Sequence, residues 1–193
     1  MARPRGISDE RVLHSAATVI ARNGPGFTLS QVAEQAGVSV GTVGQRFRSK
    51  QGLLLALSRQ TTSQVTESMH AVARDSPDPV AGLRAALVSV YAWLGSAETA
   101  ANHLGQLGVD LGDPELRRLL GEHYAAVQRV LHALVCAASD QLPSAPEPAV
   151  AARVLLSVAN GASLDWSIRP SGQLSDRLDN DVAAVLTGWE KRT

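Results

Sequence analysis

The run Gly37-Val38-Ser39-Val40-Gly41-Thr42-Val43-Gly44-Gln45-Arg46-Phe47-Arg48-Ser49-Lys50 mixes residues that belong in a core with residues suited to a polyanion. Gly37 permits the left-handed turn that a Cβ opposes. Ser39 is a residue type that caps a helix start by accepting from a backbone N–H just downstream. A helix from Ser39 to about Phe47 then directs Val43 and Phe47, with Val38 ahead of them, inward, and Thr42, Gln45 and Arg46 outward. Glutamine suits adenine and arginine suits guanine in the major groove, because each can bond two edge atoms of its base at once. Lys50, at the start of the next helix, is suited to a phosphate beside that helix N-terminus.

Working outward, Ser8 caps a first helix that reaches Asn23, with Val12, Leu13, Ala16, Ala17 and Ile20 on one face; Gly24-Pro25-Gly26 ends it. Thr28-Leu29-Ser30-Gln31 is a capping-box pattern opening a second short helix that runs through Ala36. Two short helices across a tight glycine turn, behind a supporting first helix, are the parts of a helix-turn-helix. Charge agrees. The chain is neutral overall, with 18 basic and 18 acidic residues. Residues 1–50 nevertheless hold Arg3, Arg5, Arg11, Arg22, Arg46, Arg48 and Lys50 against Asp9, Glu10 and Glu34, a net of +4, which leaves −4 for the remainder.

From Arg11 to Leu57 the sequence resembles the tetracycline-repressor (TetR) family. The resemblance rests on the first helix, Thr28-Leu29-Ser30-Gln31-Val32-Ala33, the Gly-Val-Ser turn, Gly41-Thr42, Phe47, and Ser49-Lys50 before a leucine-rich helix start. It implies DNA contacts at Ser30, Gly41, Thr42, Gln45, Arg46 and Lys50, and more weakly at Val40 and Gly44. At these last two positions the family commonly carries a lysine and a tyrosine that reach phosphates. Asn160-Gly161 to Trp166, Gly172, and Leu174 to Leu186 resemble the family's last two helices. The resemblance implies an all-α protein, with a three-helix helix-turn-helix domain over residues 1–50 and a helical ligand-binding and dimerisation domain over residues 51–193. It further implies a homodimer on a palindromic operator, most simply a repressor released by a small organic effector. An activator or a ligand-free regulator of the same family is the alternative.

The rest of the chain reads as helix. A fourth helix starts at Ser49 and continues to about Arg74, and Val80, Leu83, Leu87, Tyr91 and Leu94 form a later stripe. Residues 97–112 are interrupted by glycines and predict a short, imperfect helix. Asp113-Pro114 opens a long one, and two more are expected near 148–169 and 173–191. Leu174, Leu178, Val182, Val185 and Trp189 make a stripe suited to pairing across a dyad. Tyr91, Trp93, His103, His123, Tyr124 and Trp166 are amphipathic side chains among apolar faces, and so candidates for contact with a partly polar ligand.

Other classes find little support. The five histidines make no metal-binding pair, no metal or other cofactor is expected, and no P-loop, dinucleotide or nucleophile-elbow motif occurs. The single cysteine, Cys136, cannot form an internal disulfide. The start of the chain leads into no apolar signal core, and no stretch is apolar enough to span a membrane. A cytoplasmic, non-enzymatic protein is the expectation.

Overall fold

The computed structural model describes residues 7–91 and 93–190. Among them are nine α-helices and one short 3-10 turn: α1 (Asp9–Asn23), η1 (Gly24–Gly26), α2 (Leu29–Ala36), α3 (Val40–Phe47), α4 (Lys50–Arg74), α5 (Pro79–Ser89), α6 (Ala97–Gly112), α7 (Pro114–Ala137), α8 (Pro148–Ile168) and α9 (Leu174–Thr187). The all-helical expectation is met. The chain forms two compact units, one containing the residues up to Thr61 with Glu98–Leu120, the other Thr62–Ala97 with the residues from Gly121 on.

In the first unit the inward faces of the three N-terminal helices close one core. Val12, Ala16, Val19 and Ile20 of α1 meet Phe27, then Val32, Ala33 and Ala36 of α2, Val43 and Phe47 of α3, Leu53 and Leu54 of α4, and Leu116. Capping fixes where these helices begin. Ser8 accepts from Arg11 N–H, and Thr28 and Gln31 form the reciprocal capping box, with Gln31 N–H on Thr28 Oγ1 at 3.2 Å and Thr28 N–H on Gln31 Oε1 at 2.8 Å.

Residues 97–112 depart from expectation: α6 is a continuous helix of 16 residues. At Gly105 packing offsets the helix-propensity cost of a glycine. A Cβ on Gly105 would stand 3.2 Å from Pro25 Cδ, so the bare backbone lets α6 lie close to the Gly24–Gly26 turn. Nearby, Asn102 Nδ2 donates to Ala21 O at 2.8 Å.

In the second unit α9 packs on α8 and α5. Leu174, Leu178, Val182 and Leu186 are buried within this same chain. Most of the stripe assigned to a dyad is therefore intramolecular core, and only Val185 and Trp189 of that stripe stay half-buried. An open apolar face lies on α8, where Val154, Leu164 and Ile168 are exposed.

Candidate nucleic-acid interface

The turn between α2 and α3 is a Schellman motif. Gly37 sits at φ 71°, Val38 N–H bonds Ala33 O at 2.9 Å, and Gly37 N–H bonds Glu34 O at 3.1 Å. One residue later Ser39 caps α3, its Oγ accepting from Thr42 N–H at 3.1 Å and lying 2.9 Å from Thr42 Oγ1. These two devices fix the start and direction of α3. Val43 and Phe47 are buried beneath it, which forces the opposite face outward. Gly41, Gln45 and Arg46 are exposed, Val40 is 45% exposed, and Thr42 and Gly44 are half-buried. Nothing stands within 4 Å of where a Cβ on Gly44 would be, so that side of α3 is open. At eight residues the helix is about 12 Å long, comparable with the width of a major groove. Ser30 is exposed in the first turn of α2.

Two cations expected at DNA already have partners within the protein. Arg46 Nη1 donates to Asp9 Oδ1 at 2.7 Å, a bond from α3 back to the first turn of α1. Lys50 Nζ donates to Pro25 O at 2.7 Å and Phe27 O at 2.8 Å, and lies 4.1 Å from the Phe27 ring centroid. An ammonium has three donors, so one remains for a phosphate. Neither arrangement is visible in the sequence pattern. Asp9 is recognisable as a first-turn acid, but only the fold brings it to Arg46. Arg3 and Arg5 lie outside the described residues.

Of the six candidate ligand residues, five lie in the second unit. Tyr91 and Tyr124 converge in the second unit, both hydroxyls donating to Asn160 Oδ1, at 2.8 and 3.2 Å. His123 lies beside Tyr124 with an edge-on ring contact, its Nδ1 3.1 Å from Thr62 Oγ1. Burial pushes the Tyr91 phenol up, with Tyr124 adding to the shift, and raises Tyr124 despite its bond to Asn160. Burial also lowers His123, favouring its neutral form. Tyr91 borders a cleft of about 80 Å³ with Val88, Leu94, Gln173, Leu174 and Leu178. Trp93 is exposed and donates to Val90 O, Trp166 is buried and donates to Gly172 O, and His103 belongs to the first unit. Asn160 and Thr62 complete the polar cluster. The sequence marks neither as a ligand candidate, although Asn160 is a lone amide beside the buried Ala159.

Comparison with known proteins bears on both halves of the chain. Residues 12–57 match the family model described as bacterial regulatory proteins, tetR family, and residues 77–190 match the MftR C-terminal domain. No curated protein matches the chain. Among solved structures, a transcriptional regulator from Rhodococcus sp. Rha1 aligns with a TM-score of 0.76 at 23% identity, over 97% of this chain and 100% of that one. FadR from Bacillus subtilis, solved in complex with stearoyl-CoA, aligns at 0.73 and 18% identity, over 94% and 99% of the two chains. SmeT, the repressor of the Stenotrophomonas maltophilia multidrug efflux pump SmeDEF, aligns at 0.70 and 19%, over 96% and 92%. At these identities the structural likeness establishes the fold.

Proposed function

Because the chain belongs to the tetR family of bacterial regulatory proteins, we propose that it is a homodimeric transcriptional repressor that leaves a palindromic operator when a small organic effector binds. The observation that carries the DNA half is α3 itself, with Val43 and Phe47 buried and Gln45 and Arg46 exposed behind a turn fixed by Gly37 and Ser39. Thr42, Gly41, Val40, Gly44, Ser30 and the remaining Lys50 donor border that face. In a dimer two such helices would read successive major-groove faces about 34–36 Å apart.

The sensing half rests on Tyr91, Tyr124 and Asn160. The hydroxyls of two half-buried tyrosines share one carbonyl oxygen and form a polar centre that a ligand can enter by exchanging hydrogen bonds. The adjoining cleft of about 80 Å³ is well below the roughly 300–1,000 Å³ of most ligand sites, so in this reading effector binding opens the cluster. An effector that favours the opened state weakens DNA binding through the difference it creates between two body shapes. The coupling is reciprocal, so operator DNA lowers effector affinity by the same factor.

The test is a gel-shift titration with the DNA upstream of the protein's own gene, without and with candidate effectors. Acyl-CoAs head the candidates because FadR from Bacillus subtilis was solved with stearoyl-CoA. Specific binding that an effector abolishes is the expected result. An effector that tightens binding would favour an activator or co-repressed regulator, and absence of any DNA binding would overturn the proposal.

A further inference from the structure

Arg48 is the one non-glycine residue with positive φ among the described residues, at φ 66° and ψ −43°. Ser49 N–H bonds Phe47 O at 2.8 Å across it, so Phe47-Arg48-Ser49 is a γ-turn of the rare, strained hand. The turn is needed because α3 ends at Phe47 and α4 begins at Lys50. It also carries the Phe47 carbonyl against α4 so closely that a Cβ on Gly52 would lie 2.0 Å from that oxygen. Glycine meets the close approach at position 52. At position 48, where glycine would relieve the backbone, the chain carries an arginine instead.

The Arg48 side chain does nothing visible for the fold. The residue is exposed, and its guanidinium makes no hydrogen bond or ion pair within the described residues. Its neighbours differ: Arg46 is bonded to Asp9, and Lys50 to two backbone carbonyls. Of the three cations around the end of α3, Arg48 alone has all its donors uncommitted. We propose that Arg48 is a phosphate-binding residue of the DNA interface, retained at a strained backbone position for its charge. This rests on the DNA-binding reading above and adds a residue to which the family comparison assigns no role. Strained positions persist where the surrounding structure holds them and the side chain is needed, so the two properties should separate on mutation.

The experiment uses the full chain and a short duplex of mixed sequence, because phosphate binding does not depend on sequence. Anisotropy titrations from about 50 to about 200 mM salt give the slope of log affinity against log salt, whose steepness is roughly 0.9 per phosphate neutralised. Arg48→Ala and Arg48→Gly should both lower affinity and make the slope shallower by about one phosphate, while Arg48→Lys should keep it. In thermal melts Arg48→Gly should unfold about 2–4 °C above Arg48→Ala, because only glycine removes the strain. Wild-type slope in both the glycine and alanine variants would overturn the assignment while leaving DNA binding intact. A wild-type protein with no salt-dependent affinity for the duplex would overturn both readings.

Discussion

Asn102 on α6 donates its side-chain amide to the carbonyl of Ala21 in the last turn of α1, at 2.8 Å. Carbonyls in a final helical turn lack intrahelical partners, so this bond satisfies a group that α1 cannot satisfy by itself. It also joins α6 to the helix that supports the reading head, beside the close approach of Gly105 to Pro25. Asn102→Ala should cost about 0.5–1.5 kcal/mol and speed amide exchange at the end of α1. Unchanged exchange there would mean that another group takes over the carbonyl.

The bond between Arg46 and Asp9 bears on the proposed DNA contact more than on stability. The arginine side chain is 29% exposed and the aspartate 65%, so the pair contributes at most about 1 kcal/mol to the fold. In the proposed complex with DNA, Arg46 gives up Asp9 to reach a base, and the carboxylate stands close to the same surface. Asp9→Asn should therefore tighten binding to any duplex several-fold. Arg46→Ala should weaken operator binding by about 1–3 kcal/mol and relax specificity at one base pair. Weaker binding by Asp9→Asn would show instead that the carboxylate positions Arg46 for its base.

How legible such features are depends on the range of the interactions that make them. The capping box of Thr28 and Gln31, the Gly37 turn and the Ser39 cap are local, and all three stand where the sequence puts them. The burial of Val43 and Phe47 follows from helical period alone. The partners of Arg46 and Lys50 come from residues 37 and 25 positions away and leave no periodic trace. α9 shows a subtler limit. An apolar stripe states that something covers it, and Leu178 at 1% exposure is covered by its own subunit. α6 reads as shorter than it is because glycine propensity carries no sign of the packing that rewards a bare backbone at Gly105.

His103 on α6 gives the fold a pH dependence of predictable sign. Burial lowers it from an ordinary value of 6.5 to about 4. Between those values the unfolded chain binds a proton that the folded one refuses, so stability rises with pH through this window. The stabilisation is fully present above about 6.5 and is lost as pH falls towards about 4. His103→Gln should flatten that part of the melting-temperature profile. A slope unchanged in the variant would move the dependence to His123, which burial lowers as well.

For the proposed dimer, α8 offers an apolar face that the fold leaves open. On α8, Leu164 is 48% exposed and Ile168 is 69% exposed, while Gly161 has nothing within 4 Å of a would-be Cβ. With Val154 they lie at spacings of seven, three and four, which is one side of a helix. A gap at Gly161 flanked by aliphatic side chains lets a second helix approach closely, and in a two-fold dimer the same patch meets itself. Leu164→Glu with Ile168→Glu should place unpaired charge at the centre of that seam and yield monomers. Circular dichroism should remain helical, because both side chains face solvent within one subunit. Leu178→Glu is the contrasting control: its charge enters the core between helices of the same chain, so it should unfold the protein rather than dissociate it. Light scattering separates the outcomes, and an intact dimer of the α8 double variant would place the interface on another surface.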